Sequence, residues 1–352
     1  MSSAPDPAPD APPAGASRLS PRVRSLLRFA TTITLLGVAL QLAVPDDGSP
    51  LLPSLVAAWV VPPLEALGWF ALGSSAYLVA TGFAALRFVV LLRGANLEAR
   101  FASTFRAYLF ANFLGMAMPS PVVGDAYRFA DARRESGRGA EVLGSLVLER
   151  LLGLAALCAV GLMAAPFIPG SAAAGALAWT LVAVSGAVFV GTGVALHPLG
   201  QRLAKAAVGL LGRLWPRAAD AAGRSLDAVA SMSRRPRLVA GAAFLSLLCQ
   251  SIPVAGVYSL SLALDSQVAP YWFPVIVPFV MAVALLPVSI GGAGVRESLY
   301  VSLFGAAGMR PEVALSLSLS IVAANLVWGV FGLLFFAIGR SNAPDSAAAA
   351  AE

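Results

Sequence analysis

Charged residues are sparse along this chain, and the gaps between them carry the first structural information. A helix that crosses a bilayer needs about 20 predominantly apolar residues. Uncharged runs occupy 29–45, 66–86, 151–201, 238–264, 266–295 and 313–339. The run 151–201 is too long for one crossing and is broken by Pro166, Pro169 and Gly170, so it reads as a tight helical hairpin. The pattern predicts full spans at about 25–45, 66–92, 142–165, 174–197, 238–264 and 312–339. The fold class is all-α and polytopic.

Composition agrees with this. Of 352 residues, 58% are hydrophobic and 12% charged, and the mean hydropathy is +0.80. A soluble domain carries about 25% charged residues. Residues 1–20 and 341–352 are Pro/Ala-rich and poor in large apolar side chains, so disordered tails are expected there. A single membrane domain over 21–340 fits the length. The arginines before residue 29 and the run 29–45 resemble a secretory signal, but the long polar tail and the later spans argue against one.

The net charge of +6 is distributed by segment. Lys and Arg concentrate before residue 25, in 93–138 and in 198–237, whereas 46–65, 166–173 and 265–270 hold none. The positive-inside rule makes the first set cytoplasmic and the second external. This accounts for the basic balance without nucleic acid as a partner. It places both termini on the cytoplasmic side of the cell membrane.

Segment 101–130 then begins and ends on the cytoplasmic side although it is largely apolar, which reads as a re-entrant hairpin. Segment 266–308 reads as a second one, entering from outside; the alternative is two separate crossings. The result is six full spans and two re-entrant broken helices. Span 2 matches span 5, and span 3 the last span, each at an offset of about 170 residues. The halves, about 25–166 and 174–340, therefore read as an inverted repeat. The cytoplasmic segment 201–236 places Leu203, Val208, Leu211 and Leu214 at helical spacing among basic residues. It reads as an amphipathic helix on the inner leaflet; the alternative is a solvated connector.

A short pattern recurs in register with these halves. Pro119-x4-Gly124-x3-Arg128 and Pro287-x4-Gly292-x3-Arg296 lie 168 residues apart. Helix breakers at matching places in two halves point to a substrate site. Charges at membrane depth are costly, so each is a functional candidate. Asp125 and Arg128, spaced i, i+3, share a helix face beside a turn at Pro119 and Gly124, and Arg128 near a helix N-terminus suits a lipid phosphate. The alternative is mutual neutralisation at the surface. Arg296 and Glu297 follow Gly291, Gly292 and Gly294, which permit close backbone approach. Glu149 and Arg150 fall within span 3; Arg150 would meet Asp125 or a phosphate, and Glu149 would meet Arg296 or Arg128. Asn112 and Asn325 are candidates for a polar path, and Gln250 for a helix-joining hydrogen bond. Arg87, near the end of span 2, is expected to snorkel to the interface. Cys158, Cys249 and the single His197 form neither a disulfide framework nor a metal pattern. There is no nucleotide loop or nucleophile elbow, and no cofactor is expected.

The blocks ANFLGMAMPSPVVGDAYRF, SLVLERLLGL and LLPVSIGGAGVRESLY resemble the lysylphosphatidylglycerol synthase transmembrane (flippase-like) family. That family includes the flippase domain of the bacterial multiple-peptide-resistance factor. The resemblance covers about 25–340. It runs through Asn112, Pro119, Gly124, Asp125, Arg128, Glu149, Arg150, Gly153, Pro287, Ser289, Gly291, Gly292, Gly294, Arg296 and Glu297. The chain departs from the family's Gly-Gly-Asp at Val123. The resemblance implies an integral membrane flippase or transporter that moves a phospholipid or other lipid phosphate between leaflets. An aminoacyltransferase domain and lysyl transfer are not expected. Arg128, Arg150 and Arg296 would hold the headgroup phosphate, with Asp125, Glu149, Glu297 and Asn112 around it. The partner is then membrane lipid, and a lipid-synthesising enzyme is a further candidate. Two other classes remain: a membrane-embedded lipid-modifying transferase or its accessory subunit, and a non-transporting scaffold for a partner synthase.

Overall fold

A computed structural model describes residues 21–45, 50–57, 62–117, 123–167, 172–212, 215–284, 289 and 292–341. The expected tail 1–20, residues 342–352, Pro119, Pro287 and Gly291 lie outside them. The described residues are helical, with no strand among them. In chain order the helices are α1 (Pro21–Leu42), α2 (Leu51–Ala57), α3 (Pro63–Gly94), α4 (Phe101–Ala117), α5 (Val123–Ser136), α6 (Gly139–Ala164) and α7 (Ala172–Leu196). They continue with α8 (Pro198–Leu211), α9 (Pro216–Ser233), α10 (Pro236–Leu262), α11 (Phe273–Ala284), α12 (Val295–Ala306) and α13 (Pro311–Ser341).

Proline opens α3, α8, α9 and α10, at the position where its missing N–H has no intrahelical role. Four helices among the described residues are long and apolar enough to cross a membrane: Leu64–Gly94, Gly139–Ala164, Pro236–Leu262 and Pro311–Phe336. A fifth is counted when Val182–Leu196 and Pro198–Leu210, bent by 77°, are taken as one span. α1 contributes a shorter apolar stretch, Phe29–Leu42. The protein is therefore a multi-pass helical membrane protein. Within the two segments expected to re-enter, α4 packs on α5 and α11 on α12. Over the described residues the four helices have 17, 14, 12 and 12 residues, below the about 20 that a crossing typically takes.

α3 and α10 form the most extensive helix contact. α4 lies against α13, and α11 against α6, so each short hairpin leans on a long helix of the other half. In lipid, close helix approach depends on small residues because the bilayer supplies no hydrophobic drive between helices. The α3–α10 crossing uses a reciprocal pair: a Cβ on Gly73 would lie 2.7 Å from Gly256 O, and one on Gly256 would lie 2.9 Å from Gly73 O. Side chains fill two apolar clusters. One gathers Leu264, Phe273, Ile276, Tyr300, Phe304 and Leu317 around α10–α13. The other gathers Phe88, Leu91, Tyr108, Val142, Leu148 and Met232 around α3, α4, α6 and α9.

The segment expected to be one amphipathic helix is two helices, α8 and α9. α9 packs along α6 and α8 packs on α9, so the segment is anchored to the bundle rather than being one free helix. Leu203 on α8 and neighbouring Leu199 and Leu210 remain exposed, whereas Leu214 lies outside the described residues. His197 caps α8 at the 77° bend, its Nδ1 accepting from Leu199 N–H.

Gly73→Ala should lower the thermal stability of the purified protein, at a cost of about 1–3 kcal/mol, because the methyl meets a backbone carbonyl. Gly68→Ala, whose Cβ would meet nothing within 4 Å, should leave the melting temperature unchanged or raise it slightly. Equal melting curves for the two variants would refute the close crossing.

Candidate functional site: a charged cavity between the halves

Gly124 is the buried second residue of α5, not a left-handed turn. A Cβ there would lie 2.7 Å from Ala111 O, so glycine is what lets α5 lie tightly on α4. That approach brings Asp125 and Arg128, one turn apart, over α6. The equivalent place before α12 does use positive φ, at Gly292 (+76°) and Gly294 (+81°). Gly294 sits against the α1 backbone, where a Cβ would lie 2.7 Å from Leu36 N.

The carboxylate of Glu149 on α6 is the hub. It accepts from Arg87 Nη2 at 2.7 Å, from Tyr108 OH at 2.7 Å and from Arg128 Nη1 at 3.3 Å. Arg87 Nη1 also donates to Ser246 Oγ at 2.9 Å, and the Arg128 guanidinium lies 4.3 Å from the Tyr108 ring centroid. Asp125 bridges two arginines: Oδ1 accepts from Arg128 and Oδ2 from Arg150. Glu149, Arg87 and Arg128 are buried, whereas the Arg150 side chain is 48% exposed.

On α12, Arg296 donates to Glu297 Oε1 through Nη2 at 2.6 Å and to Ser318 Oγ through Nε at 3.2 Å. The second Glu297 oxygen accepts the Gly294 N–H at 2.6 Å, which caps the helix.

These groups surround one cavity of about 580 Å³. Its wall includes Asn112, Gly124, Asp125, Arg128, Glu149, Arg150, Arg296 and Asn325. The two motif arginines thus reach a common space from opposite halves of the chain. Leu154, Leu157, Val257, Leu260, Val280 and Ile321 supply an apolar side. A narrow apolar crevice of about 60 Å³ between α6, α7 and α11 shares Leu154 and Leu157 with it.

Some expectations change. Arg87 does not snorkel: it is 7% exposed and paired with Glu149 inside the bundle. Glu297 is not on the cavity wall; it is 2% exposed and holds Arg296 and the helix cap. Glu149 pairs with Arg128 and not with Arg296, and Arg150 meets Asp125. Gln250 donates to Gly153 O at 3.4 Å, joining α10 to α6, while also lining the cavity. Asn112 donates to Thr81 Oγ1 at 3.4 Å. The site members that residue reading missed are Arg87 and Tyr108. The first was visible as a charge ending an otherwise uncharged run; the second had no signal, because a tyrosine in a membrane helix is ordinary.

Glu149→Ala would leave Arg87 and Arg128 buried with one partner fewer each, and should destabilise the fold by about 3–5 kcal/mol. Arg150→Ala, at a half-exposed pair, should cost under about 1 kcal/mol. Thermal unfolding in detergent orders the two; a milder effect at Glu149 than at Arg150 would contradict the hub assignment.

A family model described as the lysylphosphatidylglycerol synthase TM region matches residues 24–333. No curated protein and no solved structure matches the chain. With the match running from α1 to α13, the chain belongs to the lysylphosphatidylglycerol synthase transmembrane-region family.

Proposed function

We propose that the protein is a lipid flippase or transporter that carries a phospholipid, or another lipid phosphate, between the leaflets of the cell membrane. The observation behind this reading is the cavity itself. Arg128 and Arg150 from one half and Arg296 from the other line a space that also has polar groups such as Asn112 and Asn325 and an apolar side formed by Leu154, Leu157, Val257 and Ile321. Guanidinium groups donate in pairs to phosphate oxygens, which suits them to a phosphodiester headgroup. In this reading the headgroup enters the cavity while the acyl chains remain in the bilayer.

In this reading α4/α5 and α11/α12 are re-entrant hairpins within six full spans, with both termini cytoplasmic. The halves form an inverted repeat. The reciprocal packing of α4 on α13 and α11 on α6 supports it, because a two-fold relation exchanges such partners. The α3–α10 pair would lie nearest the axis. The protein moves lipid without changing it, so it is not assigned a chemical step.

The test is movement of a fluorescent phospholipid between leaflets of liposomes containing the purified protein, with the lipids analysed by mass spectrometry afterwards. Removing a charge-assisted contact is worth about 1.5–3 kcal/mol. Arg128→Ala or Arg296→Ala should therefore slow movement by roughly tenfold or more. Folded variants that move lipid at the wild-type rate would favour a scaffold, and altered lipid mass would favour a transferase.

A further inference from the structure

Within the first-half cluster the charges do not cancel. Arg87, Arg128 and Arg150 contribute three positive charges, against two negative charges on Asp125 and Glu149. Arg296 and Glu297 balance each other on the other side of the cavity. The cavity therefore carries one uncompensated positive charge.

The structure also indicates where that charge is available. Arg87 and Arg128 are held by Glu149 deep in the bundle, at 8% and 9% side-chain exposure. Among the described residues Arg150 is held only by Asp125, and its side chain is 48% exposed. Asp125 has a second partner, because its other oxygen stays on Arg128. If an incoming anion takes Arg150, the Asp125 charge is still paired. An exchange that orphans no buried charge avoids the cost that otherwise makes such pairs permanent.

We propose that Asp125 is an exchangeable internal counter-anion for Arg150, replaced by the phosphodiester of the transported lipid, and that the cavity is matched to a headgroup carrying one net negative charge. This rests on the lipid-phosphate reading above. The cluster is neutral once a monoanionic phosphodiester is bound. A zwitterionic headgroup leaves the surplus charge uncompensated, and a dianionic phosphomonoester overcompensates it.

Binding rather than movement tests this. The full-length purified protein is titrated with dioctanoyl phosphatidylglycerol, phosphatidylcholine and phosphatidic acid at pH 8, where a phosphomonoester is mostly dianionic. Wild type should favour the phosphatidylglycerol over both others by about tenfold, the scale of one charge-assisted contact. Asp125→Asn raises the cluster by one positive charge and should shift preference toward phosphatidic acid by a similar factor. Arg150→Gln, at an exposed position that the fold does not depend on, should abolish the preference for phosphatidylglycerol. An unchanged ratio in folded Asp125→Asn, or a retained preference in Arg150→Gln, overturns the exchange. If wild type binds none of the three lipids, the lipid-phosphate reading itself fails, and the proposal with it.

Discussion

A single carboxylate in a membrane domain constrains five helices. Glu149 on α6 receives Arg87 from α3, Tyr108 from α4 and Arg128 from α5, and Arg87 in turn reaches Ser246 on α10. An isolated charge at this depth would be expelled or neutralised. The cluster persists because each member supplies what the next one lacks. The α4/α5 hairpin must therefore pack inward, where Arg128 meets its acceptor.

Close backbone approach is the second requirement, and it is met by glycine at specific contacts. The Gly73/Gly256 crossing lets α3 and α10 touch along their length, and Gly124 lets α5 reach α4. Without that proximity the side chains of the cluster could not span the gaps between helices. The same proximity leaves a space on the other side of the hub. There Arg150, Arg296, Asn112 and Asn325 line a cavity. Packing that is tight at the glycines and open at the arginines gives a bundle that encloses a cavity with a charged side and an apolar side.

The arginine-rich hub and the Arg296 side are built differently. In the first half two carboxylates serve three arginines, one of them half-exposed. In the second half Glu297 serves Arg296 and the helix cap together, and Ser318 completes the set. The first arrangement has a partner that can be exchanged, whereas the second holds its arginine in place.

The positions of the long helices were legible in the sequence because hydrocarbon permits few charges, so the gaps between charges mark the spans. α3, α6, α10 and α13 begin and end within a few residues of the expected 66–92, 142–165, 238–264 and 312–339. Broken helices could be read close to Gly124 and Gly292, since Pro and Gly followed by a charge interrupt an otherwise apolar run; Gly124 itself lies inside α5. Pairing could not be read there. Neighbours on a helix such as Glu149 and Arg150 point about 100° apart, and only the packing decides that one is buried in a hub while the other faces a cavity. The sequence by itself determined a helical membrane protein with two charged breaks, because those features follow from local hydrophobicity and backbone chemistry. Only the tertiary structure decided that Arg87 is internal, that Glu297 is a cap, and that Arg128 and Arg296 share one chamber. Each of these depends on which helices approach closely enough for side chains far apart in the chain to meet.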